Sequence, residues 1–128
     1  MISPRASAPK WRRFLTFVTV GVLASLAAEF HNQVVVHGSL LGYLGTIIFY
    51  IVFLAIMFLV SEGFNRLTTP YADFIYWWLS GLAGVMIEWF LFGTAPWLAP
   101  EANDAGMFFW WTVIFFAPRV FTAPRDKV

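Results

Sequence analysis

Four long runs of apolar residues, joined by short polar connections, limit what this chain can fold into more than any other feature of its sequence. The runs cover about residues 14–36, 40–60, 71–92 and 106–121. Because a helix needs roughly 17–25 residues to cross the hydrocarbon core of a bilayer, three runs are long enough and the fourth is near the lower limit. Strands of a membrane β-barrel would be about half as long and would alternate in polarity. We therefore expect an all-α integral membrane protein, with four transmembrane helices in an up-down bundle and a single domain over residues 1–128.

The composition agrees with this class of protein and excludes others. The chain is 60% hydrophobic, 20% aromatic and only 12% charged. A soluble domain of 128 residues has too little interior to bury that much apolar surface. A net charge of +1 gives no electrostatic basis for binding nucleic acid. Since the chain has no cysteine, disulfides and thiolate metal ligands are excluded.

The positive charges are confined to one side of the predicted spans. The eight basic residues are Arg5, Lys10, Arg12, Arg13, Arg66, Arg119, Arg125 and Lys127. They occupy the amino-terminal segment, the loop after the second run and the carboxyl-terminal segment, while the connections at 37–39 and 94–105 contain none. By the positive-inside rule, both termini are predicted to be cytoplasmic. The expected location is the inner (plasma) membrane, with several spans.

Two carboxylates fall inside predicted spans, Glu29 in the first and Glu88 in the third. A charged group there costs roughly 2.5–3.5 kcal/mol on insertion scales, so each is expected to face the bundle interior. Both lie about five residues outward of the middle of their spans, which at ~1.5 Å per residue places them at the same level. We predict a polar intramembrane layer that contains Glu29, Asn32, Thr46 and Glu88. Trp110 and Trp111 of the fourth span are expected to cap it.

Small and polar residues share one face on three predicted spans. The third span carries Gly81, Gly84 and Glu88 on one stripe. The first span carries Gly21, Ser25, Ala28 and Glu29, and the second carries Tyr43, Thr46 and Tyr50. Small residues allow helices to approach closely in lipid, and hydroxyl groups can hydrogen-bond between helices. The stripes are therefore expected to face one another around the two carboxylates.

A second group of polar residues is expected at the outer boundary of the bundle. It consists of His31, His37, Glu101 and Asp104. His31 is two residues from Glu29, about 200° away around the helix, so the two side chains diverge. No histidine and carboxylate have the i, i+3 or i, i+4 spacing of a helix-borne ligand pair, so no metal site is predicted. No cofactor is strongly implied, and the aromatic-rich surface leaves a flat ligand such as a quinone or a pigment open.

The polar residues on the cytoplasmic side are interpreted as signals for topology and for helix ends. Glu62 and Arg66 have the i, i+4 spacing of a helical ion pair. Asp73 falls just inside the third span, where a carboxylate interacts favourably with the helix dipole. This side is therefore expected to act as an anchor, and any chemistry is expected on the outward side.

Three functions are open for such a chain. The first is a scaffold or accessory subunit, or a homo-oligomer, that binds a hydrophobic partner or ligand through its helices while Glu29 and Glu88 fix its core. The second is a small proton- or cation-coupled transporter, in which the two carboxylates load and release the ion. The third is a membrane-embedded enzyme for a lipid or isoprenoid, with Glu88 as general acid or base, although no catalytic residue is assigned. The expected partners are the lipid bilayer and other membrane subunits or further copies of the chain.

Overall fold

The computed structural model describes residues 8–30, 34–35, 38–97 and 103–123. These residues form four helices: α1 (Lys10–Phe30), α2 (Leu40–Phe64), α3 (Ala72–Leu91) and α4 (Asp104–Thr122). All four are long and apolar enough to cross a membrane, and no strand occurs in the described ranges. The prediction of an all-helical chain with four span-like helices is therefore confirmed. Membrane insertion and the orientation of the termini stay predictions.

Three helices extend beyond the apolar runs. Their new boundaries are Lys10 at the start of α1, Phe64 at the end of α2 and Asp104 at the start of α4. With 19 residues, α4 reaches the length of a full span. Asn103 accounts for its early start, because the Asn103 side chain accepts a hydrogen bond from the Gly106 N–H at 2.9 Å and caps the helix.

The helices follow the order α2, α1, α4, α3 around the bundle. The fourth helix packs along both α1 and α3, and α1 also packs along α2. In contrast, α2 has only sparse contacts with α3 and α4. The apolar core lies along the well-packed interfaces and includes Phe17, Leu54, Tyr76 and Phe115, which are almost fully buried. The seam between α2 and α3 is therefore the loosely packed side of the bundle.

Two glycines allow neighbouring helices to approach closely. A Cβ atom at Gly84 of α3 would overlap the Trp111 side chain of α4. A Cβ atom at Gly21 of α1 would likewise overlap the Leu54 side chain of α2. Both glycines belong to the small-residue stripes of the sequence, and such positions give the tight packing on which helix association in lipid depends.

The outward surface of the helices is apolar. Exposed large hydrophobic side chains occur on all four helices, among them Leu23, Ile48, Leu82 and Phe109. Inside the described part of the chain, every fully buried side-chain nitrogen and oxygen has a hydrogen-bond partner. An apolar exterior around satisfied polar groups suits lipid as the surrounding solvent.

One end of the bundle is closed by a hydrogen-bonded network around Arg119. This end, named the basic end, is formed by residues 8–13, 61–73 and 119–123. Arg119 is only 3% exposed, and its Nε donates to Asp73 Oδ1 of α3 at 2.8 Å. Its Nη1 donates to the Ser61 backbone and side-chain oxygens and to Asn65 Oδ1, each at 2.8 Å. A single guanidinium group on α4 thus connects α3 with the end of α2.

A second ion pair extends this network to α1. Arg13 donates through Nε and Nη2 to the two carboxylate oxygens of Glu62, and Asn65 Nδ2 donates to Glu62 Oε2 at 3.1 Å. Glu62 therefore pairs with Arg13 of the neighbouring helix, rather than with Arg66 as its spacing predicts. The charged groups of this end therefore connect all four helices, and its role as an anchor stays a prediction.

Candidate functional site

Glu29 and Glu88 face a common interior space toward the opposite end of the bundle. This end, named the acidic end, is formed by residues 38–43, 88–97 and 103–107. Glu29 lies in the last turn of α1 and Glu88 in the last turn of α3. Since the two helices run in the same direction, their carboxylates lie at a similar level, and both line the same two cavities. Both residues are half-buried.

Each carboxylate receives one hydrogen bond from an aromatic side chain of the next helix. Tyr50 Oη of α2 donates to Glu29 Oε1 at 2.8 Å, and Trp111 Nε1 of α4 donates to Glu88 Oε1 at 3.1 Å. The two donors are almost fully buried, and their ring centroids are 5.3 Å apart. A carboxylate can accept at about four positions, yet no donor in the described ranges reaches the second oxygen of either group. As far as the described residues go, these second oxygens are left for a ligand or for solvent.

Gly84 determines where the Trp111 indole lies. It precedes Glu88 by one turn of α3, and because it lacks a side chain the indole packs directly over the helix. From that position the indole N–H reaches the Glu88 carboxylate one turn further along. The Trp111 ring also contacts Phe115, with centroids 5.2 Å apart, which restricts its orientation. A larger residue at position 84 would push the indole away from its acceptor.

Two adjoining cavities share the pair of carboxylates. Their volumes are about 420 Å³ and about 320 Å³, and Glu29, Tyr50 and Glu88 line both. The lining of the first cavity is completed by Gly42, Gly45, Thr46, Phe49 and Phe92. The lining of the second is completed by Ala28, Asn103, Gly106, Met107, Trp110, Trp111 and Ile114. Among the described residues no lysine, arginine or histidine lines either cavity, so the charge of the site comes from its carboxylates.

The first cavity lies at the loosely packed seam between α2 and α3. The Phe49 ring of α2 and the Phe92 ring after α3 have centroids 5.2 Å apart and bridge the seam beside the cavity. Gly45 also lines this cavity, and a Cβ atom there would meet no atom within 4 Å. The α2 wall therefore has free space beside the glycine.

The second cavity extends toward the beginning of α4. Asn103, Gly106 and Met107 contribute to its lining, and Asn103 is exposed at the surface. Thr94 Oγ1 donates to the Met107 sulfur at 3.8 Å, which connects the segment after α3 to the first turn of α4. This cavity therefore leads from the two carboxylates toward the surface of the acidic end.

No family model, curated protein or solved structure matches this chain. The function is therefore inferred from the geometry and chemistry of the two cavities. Their shared lining of two carboxylates and one tyrosine is the starting point for that inference.

The structure brings most of the predicted polar layer to the first cavity. The layer residues found there are Glu29, Thr46 and Glu88. Thr46 Oγ1 donates to the Tyr43 backbone oxygen at 2.6 Å. Asn32 lies outside the described residues. Of the two tryptophans expected to cap the layer, Trp111 bonds to Glu88, and both line the second cavity.

The predicted outer polar cluster is described only at Asp104. The other members, His31, His37 and Glu101, lie outside the described residues. Asp104 Oδ1, in the first turn of α4, accepts a hydrogen bond from Trp89 Nε1 at 2.9 Å. Within the ranges that the structure describes, no three histidine, cysteine, aspartate or glutamate side chains are arranged to hold a metal ion.

Tyr50 was expected on a polar stripe near the carboxylates, but its specific partner Glu29 was not predicted. Its position on the polar stripe of the second span was the available signal. The stripe does not reveal which helix it faces, and in the structure it faces α1. Tyr43 on the same stripe donates to the Leu26 backbone oxygen at 2.8 Å, and Tyr50 donates to Glu29 two turns later.

Proposed function

We propose that this protein is a small membrane transporter in which Glu29 and Glu88 bind and release a proton or another cation. The observation that carries this proposal is that both carboxylates and Tyr50 line the same two cavities. A carboxylate that only fixes helix packing is expected to have its oxygens enclosed by donors. Here each carboxylate keeps one oxygen without a donor from the described residues, which supports exchange of a bound cation.

The charge of the site favours a cation as its occupant. Glu29 and Glu88 line the same two cavities, and no basic side chain among the described lining residues offsets their charge. Two carboxylates that share a cavity repel each other when both are ionised, so uptake of a proton or a cation relieves the repulsion. A proton and a second cation then compete for the same pair of carboxylates.

The two ends of the bundle fit the two sides of a transport cycle. In this proposal the basic end is cytoplasmic, in keeping with the positive-inside rule, and the acidic end faces outward. The cavities lie toward the acidic end, and the hydrogen-bonded network around Arg119 closes the basic end. The arrangement is then an outward-facing state, and transport requires a second state in which the basic end opens.

Proton flux into vesicles tests this function. Purified protein is reconstituted into phosphatidylcholine–phosphatidylglycerol vesicles that enclose a pH-sensitive dye, and a negative internal potential is imposed with potassium and valinomycin. We expect proton entry with the wild-type protein. Entry should be about tenfold slower or less with the Glu29→Gln/Glu88→Gln double variant, because both titratable groups of the site are then absent.

Asp104→Asn is the matched control for the flux measurement. Asp104 lies at the same end of the bundle, but its carboxylate bonds to Trp89 and lines neither cavity. This variant should retain the wild-type rate. The same proton flux in wild-type and double-variant vesicles would contradict the proposed function.

The exposed face of α2 favours a second candidate function, that of a scaffold or accessory subunit. Its apolar residues include Leu41, Leu44, Ile48, Ile51, Val52, Ile56 and Leu59. A continuous apolar face suits a partner helix as well as lipid. Extraction in native lipid discs followed by mass spectrometry tests this candidate. A stoichiometric partner subunit or a homo-oligomer would support it, and a lone monomer would count against it.

A further inference from the structure

We infer that the transported cation is a small organic ammonium with an apolar body, which reaches Glu29 and Glu88 through the seam between α2 and α3. This inference rests on the proposed function and names the chemical class of its substrate. It depends on the lining of the first cavity, on its volume and on its position in the bundle.

The lining offers both kinds of contact that such a molecule needs. Glu29 and Glu88 supply negative charge, while Phe49, Tyr50 and Phe92 supply aromatic surface. Aromatic faces attract ammonium groups as well as apolar carbon, so one set of side chains can hold both parts of the molecule. No three histidine, cysteine, aspartate or glutamate side chains of the described residues are grouped to hold a metal ion, whereas the three aromatic rings give an organic cation further contacts.

The volume of the site also points to an organic molecule. Sites for small organic ligands have volumes of roughly 300–1,000 Å³. The first cavity has about 420 Å³, and the adjoining cavity that shares its carboxylates has about 320 Å³. Gly42 and Gly45 add no side chain to the α2 wall of the first cavity, which provides room for the apolar body beside Phe49 and Tyr50.

The position of the first cavity provides a route from the surrounding lipid. Contacts between α2 and α3 are sparse, and beside the cavity the Phe49 and Phe92 rings bridge the seam. Phe92 is 52% exposed, so its ring can move without disturbing the packed core. A molecule with an apolar body concentrates in the bilayer before it binds, and an opening on the side of the bundle suits that approach.

Isothermal titration calorimetry with two ligands of the same shape tests the substrate class. Benzyltrimethylammonium carries a permanent positive charge, and neopentylbenzene is its neutral isostere. We expect the ammonium to bind the purified protein in maltoside micelles about tenfold or more tightly than the isostere, because its charge is attracted by the carboxylates and by the aromatic faces. Glu29→Gln/Glu88→Gln should remove this preference. Equal affinities of the wild-type protein for the two ligands would overturn the inference.

Two glycines of α2 form a matched pair of variants that tests the binding position. At Gly45 and at Gly63, an added Cβ atom would meet no atom within 4 Å. Gly45 lines the first cavity, and Gly63 lies at the basic end. We expect Gly45→Phe to fill the cavity and weaken ammonium binding about tenfold or more, and Gly63→Phe to leave it unchanged. Wild-type affinity in Gly45→Phe would overturn the assignment to this cavity.

The binding and flux measurements separate failure of the substrate class from failure of the proposed function. Proton flux that requires Glu29 and Glu88, without any preference for the ammonium, would overturn the substrate class alone. If the wild-type protein shows neither carboxylate-dependent proton flux nor preferential ammonium binding, both proposals are overturned. An inward ammonium gradient that drives protons out of vesicles, but not in the double variant, would support both.

Discussion

The charged side chains at the two ends of the bundle have different kinds of hydrogen-bond partner. At the basic end, Arg119 and Arg13 each reach a carboxylate on another helix. At the acidic end, Glu29 and Glu88 each receive one hydrogen bond from a neutral aromatic donor. Paired charges hold helices together and leave nothing for a ligand. Carboxylates that have only neutral partners keep a negative charge that a proton or a cation can offset.

The difference arises from what the neighbouring helices present. At the basic end, the Ser61 backbone oxygen already accepts from the Asn65 N–H at 3.1 Å and receives a second hydrogen bond from Arg119. Arg119 reaches Asp73 as well. At the acidic end, the facing turns of α2 and α4 contribute Tyr50 and Trp111, which donate but carry no charge. The basic end therefore joins the helices through charged groups, whereas the acidic end leaves two carboxyl groups facing cavities.

Replacing Arg119 should give the largest loss of stability. Arg119→Met fills space but leaves Asp73 and Ser61 without their donor. Hydrogen bonds from a charged donor contribute about 1.5–3 kcal/mol, and because the Asp73 side chain is largely exposed its pairing adds little, so we expect a loss of about 2–3 kcal/mol. Unfolding in detergent followed by circular dichroism measures the loss.

Arg66→Met is the control for this variant, since Arg66 is exposed at the same end. It should change the free energy of unfolding by less than about 0.5 kcal/mol. The same loss of stability in both variants would show that the hydrogen bonds of Arg119 do not specifically stabilise the fold.

Gly84→Ala should give the next largest loss of stability. It affects the acidic end only by displacing the Trp111 ring. The added methyl group would overlap Trp111, and over-packing of this kind costs about 1–3 kcal/mol. The Trp111 indole N–H resonance should also shift in a spectrum of ¹⁵N-tryptophan-labelled protein, as its bond to Glu88 breaks. Gly45→Ala has open space and should be neutral. An unchanged indole resonance in Gly84→Ala would contradict the positioning role of Gly84.

Tyr50→Phe should have a smaller effect on stability than Arg119→Met or Gly84→Ala. The variant keeps the ring and its contact with Trp111 but removes the donor to Glu29. A hydrogen bond of this kind contributes about 1 kcal/mol, and water in the cavity can replace part of it. Tyr71→Phe, in an exposed residue of the basic end, serves as the reference in the same unfolding measurement. A loss of stability as large as that of Arg119→Met would contradict the expectation that the basic end contributes more to stability than the acidic end.

Phe92→Ala should have the smallest effect on stability and a clear effect on ligand entry. Since Phe92 is 52% exposed, its removal should cost less than about 1.5 kcal/mol. The variant also removes the ring contact between Phe49 and Phe92 that closes the seam. Stopped-flow measurements should therefore find faster binding of benzyltrimethylammonium. Phe90→Ala, a similarly exposed position of α3 that does not line the cavity, should leave the rate unchanged. Equal binding rates in the two variants would argue against entry through the seam.

The helices and the pairing of the two acids by level could be predicted from the sequence. Each apolar run is close to the length that lipid demands of a helix, so few alternatives exist. Counting residues from the middle of each span was enough to bring Glu29 and Glu88 to one level. Helix ends were less predictable, because the cap at Asn103 begins α4 ahead of its apolar run.

What escaped prediction depends on which helices touch. Arg119 belongs to a basic cluster in the sequence, and a linear pattern cannot distinguish a buried guanidinium from one at a membrane surface. Glu62 has the spacing to pair with Arg66, yet the packing of α2 on α1 gives it Arg13. The hydrogen bond from Tyr50 to Glu29 likewise depends on how α2 packs on α1. Local spacing supplies the candidates, and the neighbouring helix selects among them.

Each acid and its aromatic donor belong to the same helical hairpin. Glu29 and Tyr50 come from α1 and α2, whereas Glu88 and Trp111 come from α3 and α4. The two ion pairs of the basic end are divided between the hairpins in the same way. The spacing of the two acids is therefore controlled by how the hairpins lie against each other along the contact between α1 and α4. A small rotation of one hairpin against the other would bring the acids together or separate them with both donors still in place, and would thereby adjust the affinity of the site for positive charge.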